Sequence, residues 1–143
     1  MTVKAILEAK GHDVVTLGPN EKLSTAARML VDHKIGALVI TNSDEKIVGI
    51  LSERDIVRVV GLKGAAALDE LVRDVMTPKV SICNENHTVH EVMSIMTKNR
   101  FRHLPVEKDG KLSGIVSIGD VVKRRIEDAE RETEQIKEYI ATA

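Results

Sequence analysis

"VVTLGPNEKLSTAARMLVDHKIGALVI", residues 14–40, sets against "VSICNENHTVHEVMSIMTKNRFRHLPV", residues 80–106, without a gap at an offset of 66. Val14 falls on Val80, Leu23 on Val89, Ala26 on Val92, Leu30 on Met96, Leu38 on Leu104 and Ile40 on Val106. Beyond the next turn the offset becomes 65, and "GILSERD" (49–55) falls on "GIVSIGD" (114–120). A turn between "TNSDEK" and "EKDGK" absorbs the missing residue. The lead-ins agree too: "VKAIL" (3–7) resembles "VRDVM" (72–76). Self-similarity at this period is too long for one solenoid turn and marks two copies of a small folded unit.

Each copy reads β-α-β-β-α. Val89, Val92, Met93 and Met96 recur on one helical face, as do Leu23, Ala26, Ala27 and Leu30. Thr88 and Glu91 have capping-box spacing, whereas Lys22 stands where the first copy needs its cap. The strands "ALVIT" and "IVGILS", then "HLPVE" and "LSGIVS", flank polar turn segments. Neither copy buries its sheet face alone, so the two sheets should pack together about a pseudo-twofold axis. The expected class is α+β: residues 1–60 as the first repeat with its lead-in helix, 61–69 as linker, 70–125 as the second repeat and 126–143 as a helical extension.

Composition narrows the function. The net charge is -1, so no global field draws nucleic acid or membrane. Phe101 and Tyr139 are the only aromatics, too few for a base-stacking platform. No apolar run reaches membrane-spanning length and no signal-peptide core opens the chain. Cys83 is alone, which fits a reducing, cytoplasmic setting. His33, His87 and His90 lack metal-ligand spacing, and Met29, Met93 and Met96 fit helix core. No nucleophile–base pair or glycine-rich dinucleotide loop suggests catalysis.

The doubled Gly-x-x-Ser-x-x-Asp motif carries the chemistry. Its serine lies where a strand becomes a helix, and unpaired amides there attract anions. The aspartate follows in the first turn, able to accept hydrogen bonds from two vicinal hydroxyls such as those of a ribose. The same spacing also makes an ordinary helix cap, and duplication copies a cap as readily as a site.

With "RFRHLPV" beside it, this doubled pattern resembles a tandem pair of cystathionine-β-synthase (CBS) domains, a Bateman module, over about residues 1–125. The resemblance implies sheet-to-sheet packing with a cleft on each side. It also implies adenosine ligands such as AMP, ATP, NAD(H) or S-adenosylmethionine, and a homodimer with an unidentified protein partner. It assigns one cleft to Ile50, Ser52, Arg54 and Asp55, with Ser81, Ile82, Arg102 and His103 opposite. The other would use Ile115, Ser117, Gly119 and Asp120, with Thr16, Leu17, Ile35, Gly36 and Ala37 opposite. Arg102 and His103 are cationic or titratable, whereas Gly36 and Ala37 are not, so phosphate should favour the Asp55 cleft. No catalytic residue, metal or catalytic cofactor is expected. A structural or dimerisation adaptor with unused clefts is the alternative, and a small enzyme a weaker one.

From Asp120 the helical pattern continues, and Val122, Ile126, Ala129, Thr133, Ile136 and Ile140 form a heptad-like seam. It would either fold back on the core or dock on another subunit.

Overall fold

A computed structural model of the chain describes residues 1–78 and 80–142. Its elements are α1 (Val3–Lys10), β1 (Thr16–Leu17), α2 (Leu23–His33), β2 (Ala37–Thr41), β3 (Ile47–Ser52) and α3 (Glu53–Lys63). A 3-10 helix (Gly64–Asp69) leads to α4 (Val72–Val75), β4 (Cys83–Asn84), α5 (Val89–Asn99), β5 (His103–Lys108), β6 (Lys111–Ser117) and α6 (Ile118–Thr142). The two repeats build matching sheets, ordered β1-β2-β3 and β4-β5-β6. In each, the first strand is parallel to the second and the second antiparallel to the third.

The change of offset has a local cause. The β5–β6 turn is closed by Asp109 and Gly110, both at positive φ (54° and 78°), the twist a two-residue hairpin needs. The β2–β3 loop is longer; the Asn42 side chain accepts from the Asp44 and Lys46 amides there, with Glu45 at φ 61°.

The helices follow their apolar faces and differ in how they begin. Thr88 and Glu91 form a reciprocal capping box on α5. Lys22 gives α2 no side-chain cap, but the Leu23 amide donates to the Glu70 carbonyl at 2.8 Å instead. Both helices end in left-handed non-glycine residues, Lys34 and Arg100, which sequence punctuation by glycine does not reveal.

Packing exchanges the lead-ins. Val3, Ile6 and Leu7 of α1 are buried with Cys83, Val92, Leu104, Val106 and Val116 of the second repeat. Val72 of α4 is buried with Leu23, Leu38, Ile40 and Leu51 of the first. The division that gives residues 1–60 their own lead-in helix is therefore one of sequence, not of core. The reason is space: Gly114 leaves room beside β6 for Leu7, and Gly49 beside β3 for Met76. The segment read as a linker is also more ordered than its composition suggests, because α3 runs through Gly61 and the 3-10 helix follows directly. On the face opposite the helices Ala37, Val39 and Ile50 are buried as well, where the sheets face each other.

Met29 and Met93 pack against the cores and Met96 lies within one, as their spacing suggested. Of α6, only Val121 is fully buried; Val122, Ile126, Ile136 and Ile140 are 45–68% exposed. The seam does not fold back on its own core. No helix among the described residues is long and apolar enough to cross a membrane.

Candidate functional site

Ser52 ends β3 in an extended conformation and starts α3. Its hydroxyl accepts from the Asp55 amide at 3.3 Å, while Asp55 Oδ2 accepts from the Ser52 amide at 2.9 Å and lies 3.1 Å from the hydroxyl. The motif is thus a capping box. It also leaves a carboxylate 7% exposed, and Arg58 Nη2, one turn along α3, donates to Asp55 Oδ1 at 2.8 Å. Ser117 and Asp120 repeat the arrangement on α6: Oδ2 accepts from the Ser117 amide at 2.8 Å and the Asp120 amide donates to the hydroxyl at 3.1 Å.

A cavity of about 730 Å³ opens between the repeats on the Asp55 side. Ile50, Ser52, Arg54 and Asp55 line it from the first repeat, and Arg102 and His103 from the second. Four arginines, Arg54, Arg58, Arg100 and Arg102, line it alongside two acidic residues, Glu53 and Asp55. The volume suits a small organic ligand, and the excess of guanidinium suits one bearing phosphate. Among the described residues no cluster fits a metal ion.

His103 brings the second repeat up against Gly36 of the first. Its ring lies about 3.5 Å from where a Gly36 side chain would begin, and a Glu53 carboxylate oxygen about 3.6 Å from the same point. Burial pulls the imidazole below its ordinary value, more than Glu53 and Asp120 raise it, so the ring is neutral at pH 7.

The remaining expected residues are spread differently. Gly36 lines the Asp55 cavity rather than standing apart with Asp120. Ala37 is buried in register with Ser52, and Leu17 and Ile35 pack against the first core. Thr16 is exposed on the edge strand. Ser81 and the 41% exposed Ile82 lie outside the cavity lining. On the second side, Ile115, Ser117 and Asp120 are part-buried and Gly119 is exposed.

Sequence reasoning missed Glu53, Val57, Arg58, Thr77, Arg100 and Phe101, which complete the lining. Arg58 was within reach of helical periodicity, three residues after Asp55, and Arg100 and Phe101 adjoin Arg102. It also missed Lys10, whose ammonium meets Asp120 Oδ2 at 2.7 Å. Burial pushes the Asp120 carboxyl up, but Lys10 and the Ser117 amide outweigh it and hold the group below its usual value. Cys83 is buried, and its thiol is pushed up to about 11, leaving no reactive thiolate.

A family model described as CBS domain matches the chain twice, over residues 3–62 and 72–127. The chain belongs to the CBS-domain family. A CBS-domain containing protein from Agrobacterium tumefaciens has the same fold, with TM-score 0.84 and 51% identity, over 87% of this chain and 92% of that one. An uncharacterised 17.7 kDa protein from Acidianus ambivalens is 39% identical over 77% of this CBS pair and 66% of its own length. The CBS domain pair of protein MJ0100, solved with 5'-methylthioadenosine and S-adenosyl-L-methionine, is 26% identical with TM-score 0.80. It covers 90% of this chain and 98% of that one.

Proposed function

We propose that this CBS pair is a regulatory module that binds a phosphate-bearing adenine nucleotide of the AMP, ATP or NAD(H) type. One observation carries the reading: the Ser52–Asp55 motif and the Arg102–His103 strand end line one cavity with four guanidinium groups. Asp55 takes the ribose hydroxyls, Ile50 contacts the base, and Arg54, Arg102 and His103 take the phosphates. The adenosine ligands of the MJ0100 pair support the nucleoside half of this assignment. The arginines favour a phosphate over S-adenosylmethionine, which puts a sulfonium cation where a nucleotide carries its 5'-phosphate.

The ligand spans both repeats, so it stabilises the geometry in which they close on it. Its differential affinity for the two geometries is what can alter a partner's binding. The module works by binding rather than turnover, in the cytoplasm and as a homodimer. The exposed Val31, Val57, Leu62, Val122 and Ile126 offer apolar surface for that assembly, and sedimentation equilibrium checks it.

Thermal shift and calorimetry against ATP, ADP, AMP, NAD(H) and S-adenosylmethionine test the function. A true ligand at a hundredfold excess over its Kd stabilises the fold by about 2.7 kcal/mol. Asp55→Asn and Arg102→Ala should each weaken it at least tenfold. Unchanged affinity in both variants rules the site out, and silence towards every nucleotide leaves the adaptor reading.

A further inference from the structure

Beyond Asp128, α6 leaves its own core. The helix packs on α1, α5 and β6, but every residue from Ala129 to Thr142 is exposed, over about 21 Å of its length. A helical segment of that length with no packed face is marginal in water, so its order calls for a surface to rest on. The sequence supplies the face: Ile136, Tyr139 and Ile140 lie within one turn of each other and are 57–74% exposed.

The first repeat carries the complementary feature. A groove of about 540 Å³ runs between α2 and α3, lined by Ala27, Leu30, Val31, Ile56 and Val57 among others, and Val31 and Val57 are exposed within it. An amphipathic helix enters such a groove by anchors spaced as Ile136, Tyr139 and Ile140 are. Charge agrees with shape. On α2, α3 and the residue that follows α2, Arg28, Lys34, Arg54, Arg58 and Lys63 outweigh Asp32, Glu53 and Asp55. On the far part of α6, Glu127, Asp128, Glu130, Glu132, Glu134 and Glu138 outweigh Arg131 and Lys137. Two α6 tails laid side by side would set acid against acid, along a seam weakened by Ala129 and Thr133. A tail laid on the groove sets acid against base.

We propose that the α6 tail of a second copy of this chain seats in the α2–α3 groove, pairing first repeat with second about a twofold axis. The contact is reciprocal: each chain gives a helix and receives one, and the pair closes with no groove left over to grow a filament. Gly36, Glu53 and Val57 line groove and cavity alike, so the incoming helix becomes a wall of the nucleotide site. A single chain leaves that site open on one side. By linkage, a nucleotide that meets the wall tightens the pairing by the same factor as the pairing tightens the nucleotide. The proposal rests on the reading of the module as a nucleotide-binding homodimer.

Thiol cross-linking of mixed chains tests the pairing. Cys83 is buried, so introduced cysteines are the reactive ones. Val31→Cys marks the groove and Ile136→Cys the tail, and both positions are exposed, so neither change disturbs a core. A short bismaleimide should join the two variants to each other after subunit exchange and leave each alone unjoined. Val31→Cys joined to itself, or no mixed product from dimeric protein, overturns the pairing. Sedimentation equilibrium of the full chain gives a second readout: Ile136→Asp/Ile140→Asp should weaken the dimer by about tenfold or more, and an unweakened dimer overturns the proposal. Calorimetry with ATP should find weaker binding to that variant than to dimeric wild type, and equal affinity overturns the shared wall. A monomeric wild type overturns the homodimer reading and the pairing with it. A dimer that binds no nucleotide overturns the Asp55 reading instead, and the cross-links then decide the pairing alone.

Discussion

Arg58 Nη2 sits 2.8 Å from Asp55 Oδ1, the carboxylate oxygen that the capping box leaves free. The guanidinium therefore covers the position a ribose hydroxyl would take, while also lining the cavity where phosphates would lie. These two roles have opposite signs. Arg58→Ala should strengthen binding of adenosine, which gains the carboxylate, and weaken binding of ATP, which loses a cation. Each change should be about 1 kcal/mol, because the arginine is largely exposed. Calorimetry with both ligands checks the crossing; parallel changes would show that Arg58 does only one of the two things.

A side chain at Gly114 would begin 2.8 Å from Leu7 Cδ2, inside contact distance. Leu7 is fully buried and cannot retreat to solvent. Gly114→Ala should destabilise by about 1–3 kcal/mol through overpacking. Leu7→Ala opens a cavity and should cost about 2–5 kcal/mol on its own. The double variant should cost less than the sum of the two, and urea unfolding of all four proteins measures that coupling. Additivity would mean that α1 does not rest on Gly114.

The His103 and Asp120 shifts predict two separate acid limbs. A neutral, half-buried His103 has a folded pKa below its ordinary 6.5, so the unfolded chain takes the proton first. Its contribution to stability is complete above that ordinary value and is lost as pH falls through the window down to the folded one. Asp120 is also depressed, below 3.8; its contribution is present above that value and fades as pH falls towards the folded pKa. Urea midpoints between pH 7.5 and 3 should show both limbs. His103→Gln should flatten the upper one and Lys10→Met the lower. A phosphate bound beside His103 favours the imidazolium, so nucleotide affinity should rise as pH drops below 6.5.

The helix starts of the two repeats should respond differently to alanine. Thr88→Ala removes a hydroxyl that accepts from the Glu91 amide at 3.0 Å, and should cost about 1 kcal/mol. Lys22→Ala removes no cap, because the backbone of Glu70 supplies α2 with its partner, and should be near neutral. Thermal melts of the two variants provide the comparison, and equal losses would contradict the capping assignment.

Much of this protein is set by short-range pattern. The repeat, the apolar helix faces, the Thr88 cap and the strand-to-helix placement of both Ser-x-x-Asp motifs all follow from residues within a few turns of one another. Periodicity and turn chemistry encode such relations directly, and for that reason the α+β pair is legible in the sequence. The candidate site was legible as far as local sequence carries it. Ile50, Ser52, Arg54, Asp55, Arg102 and His103 meet at one cavity, whereas Ser81 and Ile82 lie outside its lining and Gly36 lies within it.

Only the tertiary structure decided which core receives each lead-in helix, and hence that Lys10 reaches Asp120. Leu7 fits at Gly114 and Met76 at Gly49 because the repeats exchange those segments across more than a hundred and across some thirty residues of chain, respectively. The Lys10–Asp120 pair is a by-product of that exchange. Two motifs that are equivalent in sequence thus acquire different partners, one from the same helix and one from the far end of the chain, because an aspartate's chemistry depends on what is packed against it.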